Sequence, residues 1–423
     1  MISADLIIVN AGELVRVCDN ASPLPKRGQT LSELCLISDG ALAALDGRIV
    51  WTGRTSAIAS EVRLLPTGTE IDARGRVVTP GLVDAHTHPV FAAPRAMEFA
   101  MRVAGKSYQQ IAVEGGGIAN SVAKTRAATE DDLYHNAYAV AERMLDFGTT
   151  TADAKSGYGL TLADELKMLR VIRRINETHP IDWIPTAMPA HEIPVEFKHA
   201  PDDYVELVCR EILPVIAREK LARFNDVFFE TGVFNHDQSK RIQSVAGELG
   251  FGLKFHVDEL SDVGGARLAA EMNATSADHL VYISDDGIAA LSHANTVAVM
   301  LPGTCYFLDL PRKPPVRKMI EAGVAVALAT DCNPGSNMTE SAQLALNQAC
   351  VLYKMSPAEA LVAATHNAAC AVAMSGDIGA LVPGLACDIV VWDARDHLEI
   401  PYHYGVNLAS VVIKNGKRVR GVA

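Results

Sequence analysis

Between residue 77 and about residue 335, eight short apolar runs alternate with segments that have the length and periodicity of amphipathic helices. In chain order the runs are VVTPGLVDAHTH, TTTADAKSG, IPTAMPAH, DVFFETG, GLKFHVDE, ATSADHL, TVAVMLPG and VAVALATD. Helix candidates between them include LADELKMLRVIRRI, YVELVCREILPVIARE, QSKRIQSVAGEL and VRKMIEAG. Eight strand–helix units of this length are typical of an α/β fold, the (β/α)8 or TIM barrel.

Short β-like pieces separated by turn residues stand at both ends of the chain. DLIIVNAGELVRV, GALAALDGRIVWTG and EIDARGRVV precede the alternating part, whereas ACDIVVWDA and ASVVIKNGKRVRG follow it after two helical segments. We therefore expect the two ends to join into one small β-sandwich domain. The predicted division is residues 1–76 plus 378–423 for the sandwich and residues 77–377 for the barrel.

Composition excludes several classes of function. The formal net charge of -12 and the lack of a basic patch argue against nucleic-acid binding. No apolar run approaches the ~20 residues of a membrane span.

The eight cysteines form no CxxC pair, which indicates reduced thiols and a cytoplasmic location. A homodimer is the expected assembly, since it is the commonest one among soluble oligomeric proteins.

In a barrel of this type, chemistry is found at the carboxyl ends of the strands. Every run except the seventh, which ends on Pro302-Gly303, ends on a side chain that can bind a metal or move a proton. These residues are His86 and His88, Lys155, His191, Glu230, His256, His279 and Asp331.

The pair His86 and His88 has the spacing of two ligands on one strand, because alternate side chains point the same way. This pattern alone occurs by chance, and a lone histidine is more often a packed or surface residue. His256 and Asp331 end two further runs at the same rim, so the set predicts one divalent metal per chain. Nitrogen and oxygen ligands suit Zn or Fe(II), and Mn and Ni remain open.

Three other residues near these runs have two interpretations each. His279 is a fifth ligand or a proton donor beside the metal, or else it caps a helix. Glu259 is a catalytic carboxylate, or else a first-turn residue favoured by the helix dipole. Arg95, seven residues after His88, grips a substrate carboxylate with two parallel hydrogen bonds, or else lies on a surface loop.

The combination of PGLVDAHTH, His256, His279, Asp331 and the late segment PGLACDIVVWDA resembles the amidohydrolase superfamily of metal-dependent hydrolases. The resemblance covers nearly the whole chain. More specific stretches are AKSGYGLTLADELKMLRVIRR, FHVDELSDVGGARLA and ATDCNPGSNMTES. They resemble the branch that hydrolyses the ring C–N bond of 4-imidazolone-5-propanoate to N-formimino-L-glutamate in histidine degradation.

This resemblance implies a role for each matching position. The metal ligands would be His86, His88, His256 and Asp331. Glu259 and His279 would act on water and on the ring oxygen, with Asp331 also accepting a proton. The substrate, a small molecule with a carboxylate, would be bound by Arg95, Tyr158, His191, Asn333, Gly335 and Ser336.

Two other functions remain open at this stage. The first is another reaction of the same superfamily, such as hydrolysis of a different cyclic amide or amidine, or deamination of a purine-like or pyrimidine-like ring. Arg95 argues against a neutral base, which needs no carboxylate clamp. The second is a non-catalytic scaffold, against which the complete ligand set argues. Lys155 has three possible roles: it forms a salt bridge, lines the pocket, or matches the carbamylated lysine of some superfamily members. Separately, the GGGI segment at 115–118 is a candidate lid.

Overall fold

The structure is a computed structural model that describes residues 1–106, 110 and 115–421. Its strands form two sheets, one of which is a barrel. The strands before the barrel are β1 (Ile2–Val15), β2 (Leu36–Leu45), β3 (Arg48–Arg54), β4 (Val62–Asp72) and β5 (Val77–Pro80). The barrel strands are β6 (Leu82–Asp84), β7 (Thr149–Lys155), β8 (Asp182–Ala190), β9 (Phe224–Phe229), β10 (Gly252–Val257), β11 (Ser276–His279), β12 (Val297–Met300) and β13 (Val326–Leu328). The last strands are β14 (Ile389–Trp392), β15 (Ala409–Lys414) and β16 (Lys417–Arg420).

The barrel consists of eight parallel strands that neighbour one another in chain order from β6 to β13. The ring closes just beyond its first and last strands. The backbone N–H of Asp331 donates to the carbonyl of His86 at 3.0 Å, and that of His88 donates to the carbonyl of Cys332 at 2.9 Å. The prediction of a (β/α)8 barrel is therefore confirmed, and the closure itself joins two segments that carry predicted ligands.

Helices follow most barrel strands. They span Ala96–Val103, Ile118–Ala127, Glu130–Asp146, Leu162–Thr178, Pro201–Leu207, Leu213–Glu219, His236–Glu248, Gly265–Glu271, Asp285–His293, Pro302–Phe307, Val316–Glu321, Ala342–Tyr353, Pro357–Ala363 and His366–Ala371. Outside the barrel lie the helices Thr55–Glu61 and Glu399–Tyr402. Two short 3-10 turns span Gly28–Ser32 and Val195–Phe197.

One predicted helix differs from its expectation. The segment YVELVCREILPVIARE forms two α-helices joined by a π-helical turn at Val208–Ile212. Pro214 lies at the start of the second helix. Proline has no N–H to donate and its ring collides with the carbonyl four residues earlier, so a wider turn before it relieves the clash.

The second sheet combines strands from both ends of the chain, as predicted. Its order is β16-β15-β14-β5-β1-β2-β3, and β4 also pairs with β1. The strand β5 connects the two ends, because it pairs with β1 on one side and β14 on the other. The domain division at 76/77 and 377/378 remains a prediction.

The first apolar run, expected to be one barrel strand, contains two strands in different sheets. β5 belongs to the terminal sheet and β6 to the barrel, with Gly81 alone between them. A Cβ on Gly81 would lie 2.2 Å from Oγ1 of Thr150. Glycine is thus the residue that lets the chain pass from one sheet to the other against β7.

Among the described residues, no helix combines the length and the apolar character needed to cross a membrane. All eight cysteines are free thiols, six of them buried.

Candidate active site

The four predicted metal ligands meet at the carboxyl end of the barrel, and each is at most 3% exposed. Nε2 of His88 lies 3.2 Å from Nε2 of His256. Oδ1 of Asp331 lies 3.6 Å from Nε2 of His86 and 3.8 Å from Nε2 of His88. One carboxylate oxygen and three imidazole nitrogens therefore face a common point.

Local backbone conformation produces this convergence. Thr87 forms a parallel bridge with Cys332, so the chain stays extended beyond β6 and turns His86 and His88 to the same side. Asp331 has a φ of 56°, in the left-handed region that costs a residue with a Cβ about 1–3 kcal/mol. Oδ2 of Asp331 accepts a hydrogen bond from Oγ1 of Thr304 at 2.5 Å, which turns Oδ1 toward the histidines.

The ring nitrogens fit a divalent cation. Burial is the largest of the effects that lower the pKa values of His86 and His88 well below the usual range, so both rings are neutral. Nδ1 of His86 donates to Oδ2 of Asp278 at 2.6 Å, which leaves a lone pair on Nε2. That Nε2 atom is buried without a hydrogen-bond partner. A neutral donor set of this kind, with one carboxylate, matches a first-row divalent metal.

Two aspartates that the sequence analysis did not assign support the histidines from behind. Asp278 holds Nδ1 of His86, and Oδ1 of Asp226 lies 3.0 Å from Nδ1 of His256. Both aspartates are fully buried. The signal that could have identified them is an acidic residue inside an apolar strand, because a buried carboxylate requires a partner.

His279 and Glu259 lie together beside the four predicted ligands. His279 ends β11 with a φ of 76°, and its Nδ1 lies 3.5 Å from Oε1 of Glu259. A ring nitrogen of His279 also falls within 4.8 Å of ring nitrogens of His86 and His256. Burial, and then the carboxylates of Asp331 and Glu230, raise the pKa of Glu259 to about 8, so this side chain carries a proton at neutral pH.

Glu230 fixes the segment that carries Glu259. Its Oε2 accepts hydrogen bonds from the backbone N–H of Glu259 at 3.1 Å and of Leu260 at 2.8 Å, and Ser261 donates its hydroxyl to Oε1. From the sequence, Glu230 is expected only to end its strand with a group that can bind a metal or move a proton. In the structure it positions the neighbouring loop.

Tyr158 and His191 form the wall of the site beside His88. The ring of His191 stacks on that of His88, with centroids 4.8 Å apart and planes inclined by 19°. Tyr158 is buried, and its ring lies 5.4 Å from that of His191. The loop carrying Tyr158 is held by Glu165, which accepts hydrogen bonds from backbone N–H groups at Gly157, Gly159 and Leu160.

The loop after Asp331 is ordered by Asn333. Its Oδ1 accepts hydrogen bonds from the N–H groups of Gly335 and Ser336, both at 2.8 Å, and the Ser336 hydroxyl lies 3.2 Å from Oδ2 of Asp331. A Cβ on Gly335 would lie 2.3 Å from Nη2 of Arg95. The Arg95 guanidinium is therefore packed against the loop that carries Asp331.

Arg95 precedes the helix Ala96–Val103, and its Nε lies 3.1 Å from Oε2 of Glu98. The same Glu98 oxygen accepts a hydrogen bond from Gly117, in the candidate lid, at 3.0 Å. Residues 107–109 and 111–114, which precede Gly115, lie outside the described residues, and the lid role remains a prediction.

Residues 77–422 match the amidohydrolase family. The imidazolonepropionase of Symbiobacterium thermophilum is 47% identical over 98% of this chain and 97% of its own length. That of Brevibacillus brevis is 45% identical over 97% of this chain and 96% of its own. A zinc-bound adenosine deaminase from Xanthomonas campestris shares the fold at a TM-score of 0.73 and 18% identity, covering 99% of this chain and 94% of that one.

Proposed function

The chain belongs to the amidohydrolase family, and we propose that it hydrolyses the ring C–N bond of 4-imidazolone-5-propanoate to N-formimino-L-glutamate, a step of histidine degradation. The observation that carries this proposal is the similarity over nearly the whole chain to proteins named imidazolonepropionase.

One divalent metal, Zn or Fe, is the proposed cofactor, held by His86, His88, His256 and Asp331. The buried Nε2 of His86 and the close approach of Nε2 of His88 and Nε2 of His256 support this ligand set. When bound, such a cation supplies Lewis acidity, which makes water a nucleophile near neutral pH.

The substrate carboxylate is assigned to Arg95. A guanidinium grips a carboxylate with two parallel hydrogen bonds and fixes the ring relative to the catalytic groups. The packing of Arg95 against the backbone of Gly335 supports the assignment, because it brings the guanidinium next to the Asp331 loop. Tyr158 and His191 form the wall beside the ring, and Asn333, Gly335 and Ser336 complete the substrate end.

Three groups are assigned to the proton transfers. Asp331 accepts the proton of the attacking water. His279 donates a hydrogen bond to the carbonyl oxygen attached to the ring and stabilises its developing negative charge. Glu259 transfers a proton to the leaving ring nitrogen, and its raised pKa supports a general-acid role. Water adds at the carbonyl carbon and the C–N bond breaks. Asp331 has then gained one proton and Glu259 has lost one, and exchange with solvent returns both groups to their starting states.

A cytoplasmic location and a homodimer complete the proposal. Eight free thiols support a reducing compartment. Light scattering of the purified protein tests the dimer.

A substrate assay tests the proposed reaction. The metal-replete protein is incubated with freshly prepared 4-imidazolone-5-propanoate, its ultraviolet absorbance is followed, and the product is identified by mass. We expect formiminoglutamate, lost on chelation and restored by metal. No turnover with about one metal per chain still bound would refute the substrate and favour a deaminase of a cyclic base.

A further inference from the structure

Lys155 is a fully buried lysine beneath the predicted metal ligands. Its Nζ lies 2.6 Å from Oδ2 of Asp153, 2.7 Å from Oδ2 of Asp226 and 3.9 Å from Oδ2 of Asp278. All three aspartate side chains are also inaccessible to solvent. The ammonium therefore sits inside a triangle of carboxylates that water does not reach.

Two of these carboxylates hold ligand histidines. Asp226 uses Oδ2 for Lys155 and Oδ1 for Nδ1 of His256. Asp278 presents the same Oδ2 to Nδ1 of His86 at 2.6 Å and to Lys155. Lys155 thus lies on the Nδ1 side of both rings, opposite the Nε2 atoms that converge with Asp331.

Strand pairing builds this arrangement. Asp153 and Lys155 are two apart on β7 and point into the barrel together. On the other side, β10 pairs with β9 and β11, and the residue opposite His256 on β11 is Asp278. The carboxylates therefore come from three strands, and two buried ammonium groups offset their repulsion. Lys155 contacts all three carboxylates, whereas Nζ of Lys254 lies 3.3 Å from Oδ2 of Asp153.

We propose that Lys155 is a positioning residue for the metal: its ammonium holds the Asp226 and Asp278 carboxylates that aim His256 and His86 at the cation. A bridging or carbamylated lysine would have to reach the Nε2 side, whereas Lys155 is committed to carboxylates on the other side. Partners behind a ligand histidine fix its tautomer and orientation, and their loss typically weakens metal affinity by about 10–100-fold.

The test is the zinc affinity of the purified protein, measured by competition with a chromophoric chelator. We expect Lys155→Met to weaken zinc binding by about 10–100-fold. Lys414→Met is the matched control, because Lys414 is also buried and clamped between two carboxylates, Asp182 at 2.6 Å and Asp388 at 2.5 Å, far from the histidines. The control should bind zinc like the unmodified protein.

A double-mutant cycle tests the route through Asp226. If Lys155 acts through that carboxylate, Lys155→Met should weaken zinc binding less in an Asp226→Asn background than in the unmodified protein. Equal losses in the two backgrounds would overturn the route.

Circular dichroism and gel filtration of the metal-free variants establish that they are folded. Should Lys155→Met fail to fold, Lys155→Gln replaces it in the measurement, since its side chain is neutral and one atom shorter and cannot reproduce the contacts of Nζ with Asp226 and Asp278. A folded Lys155 variant with unchanged zinc affinity, or one that loses no more than Lys414→Met, would overturn the proposal. The inference rests on the proposed function only through the metal, so a wrong substrate leaves it standing.

Discussion

Glu259 is a carboxylic acid that retains its proton at neutral pH because it is buried and faces two other carboxylates. Its pKa of about 8 determines the pH range in which it can donate a proton. Below that value the group carries the proton that a leaving nitrogen needs, and above it the proton is lost. Activity should therefore fall as the pH rises through about 8.

Glu259→Gln should lower kcat by about 10²–10⁴-fold, because the amide cannot transfer a proton. The decline of the remaining activity near pH 8 should also disappear. The measurement is kcat against pH for both proteins. Glu359→Gln is the control, since Glu359 is comparably buried but pairs with Arg317 outside the site. If kcat of the variant still declines near pH 8 as in the unmodified protein, Glu259 does not carry the proton transfer.

Arg95→Lys should raise KM by about tenfold or more, because a lysine cannot reproduce the two parallel hydrogen bonds of a guanidinium. The metal content should stay the same. Steady-state kinetics with metal analysis separates the two effects. Arg102→Lys on the same helix serves as the control, since its guanidinium covers Phe307 at 4.9 Å. An unchanged KM would exclude Arg95 from carboxylate binding.

At the residue scale, the sequence predicted those groups that end strands. The rim shared by the strand ends of a barrel predicts a common site for His86, His88, His256 and Asp331, and the structure brings them together. Asp226 and Asp278 are not predictable in this way, because the histidines they hold are distant in sequence and the contacts depend on strand register. Register is a tertiary property that spacing along one chain does not encode.

Among the elements, the loop after β13 joins the metal and substrate parts of the site. Gly335 has no Cβ, and its backbone lies against the Arg95 guanidinium. Gly335→Ala should displace that guanidinium, which Glu98 holds from the other side, and raise KM several-fold without loss of metal. Steady-state kinetics and metal analysis make the comparison.

Gly247→Ala is the matched control. It lies inside the helix His236–Glu248 with open space around its Cα, so alanine should leave KM unchanged and stabilise the helix by about 0.5–1 kcal/mol. If Gly335→Ala behaves like this control, the contact with Arg95 has no role in substrate binding.

The elements themselves were predictable where periodicity is strong, as in the helix Leu162–Thr178. Elements are not predictable from periodicity at positions where one residue changes the direction of the chain. Gly81 divides one apolar run between two sheets, and Pro214 divides one amphipathic segment between two helices. In both cases the hydrophobic pattern of the sequence continues across the position where the backbone ends one element and begins the next.

For the whole molecule, removal of the metal should lower stability as well as activity. The proposed ligands come from the segments just after β6 and β13, where the ring closes, and from β10 on another part of the ring, so one cation links these parts. A ligand that binds only the folded state at about 1,000 times its Kd contributes about 4 kcal/mol. Differential scanning calorimetry should show a lower Tm after chelation and recovery with added zinc. An identical Tm in both states would contradict a cation at this position.

The strand β5 also has a consequence for the order in which the protein is made. It emerges from the ribosome early, beside its partner β1, but its other partner β14 is about 300 residues further along the chain. At translation rates of about 5–20 residues per second, the edge of β5 that pairs with β14 stays unpaired for roughly 15–60 s. The terminal sheet therefore stays incomplete at β5 while the whole barrel is synthesised.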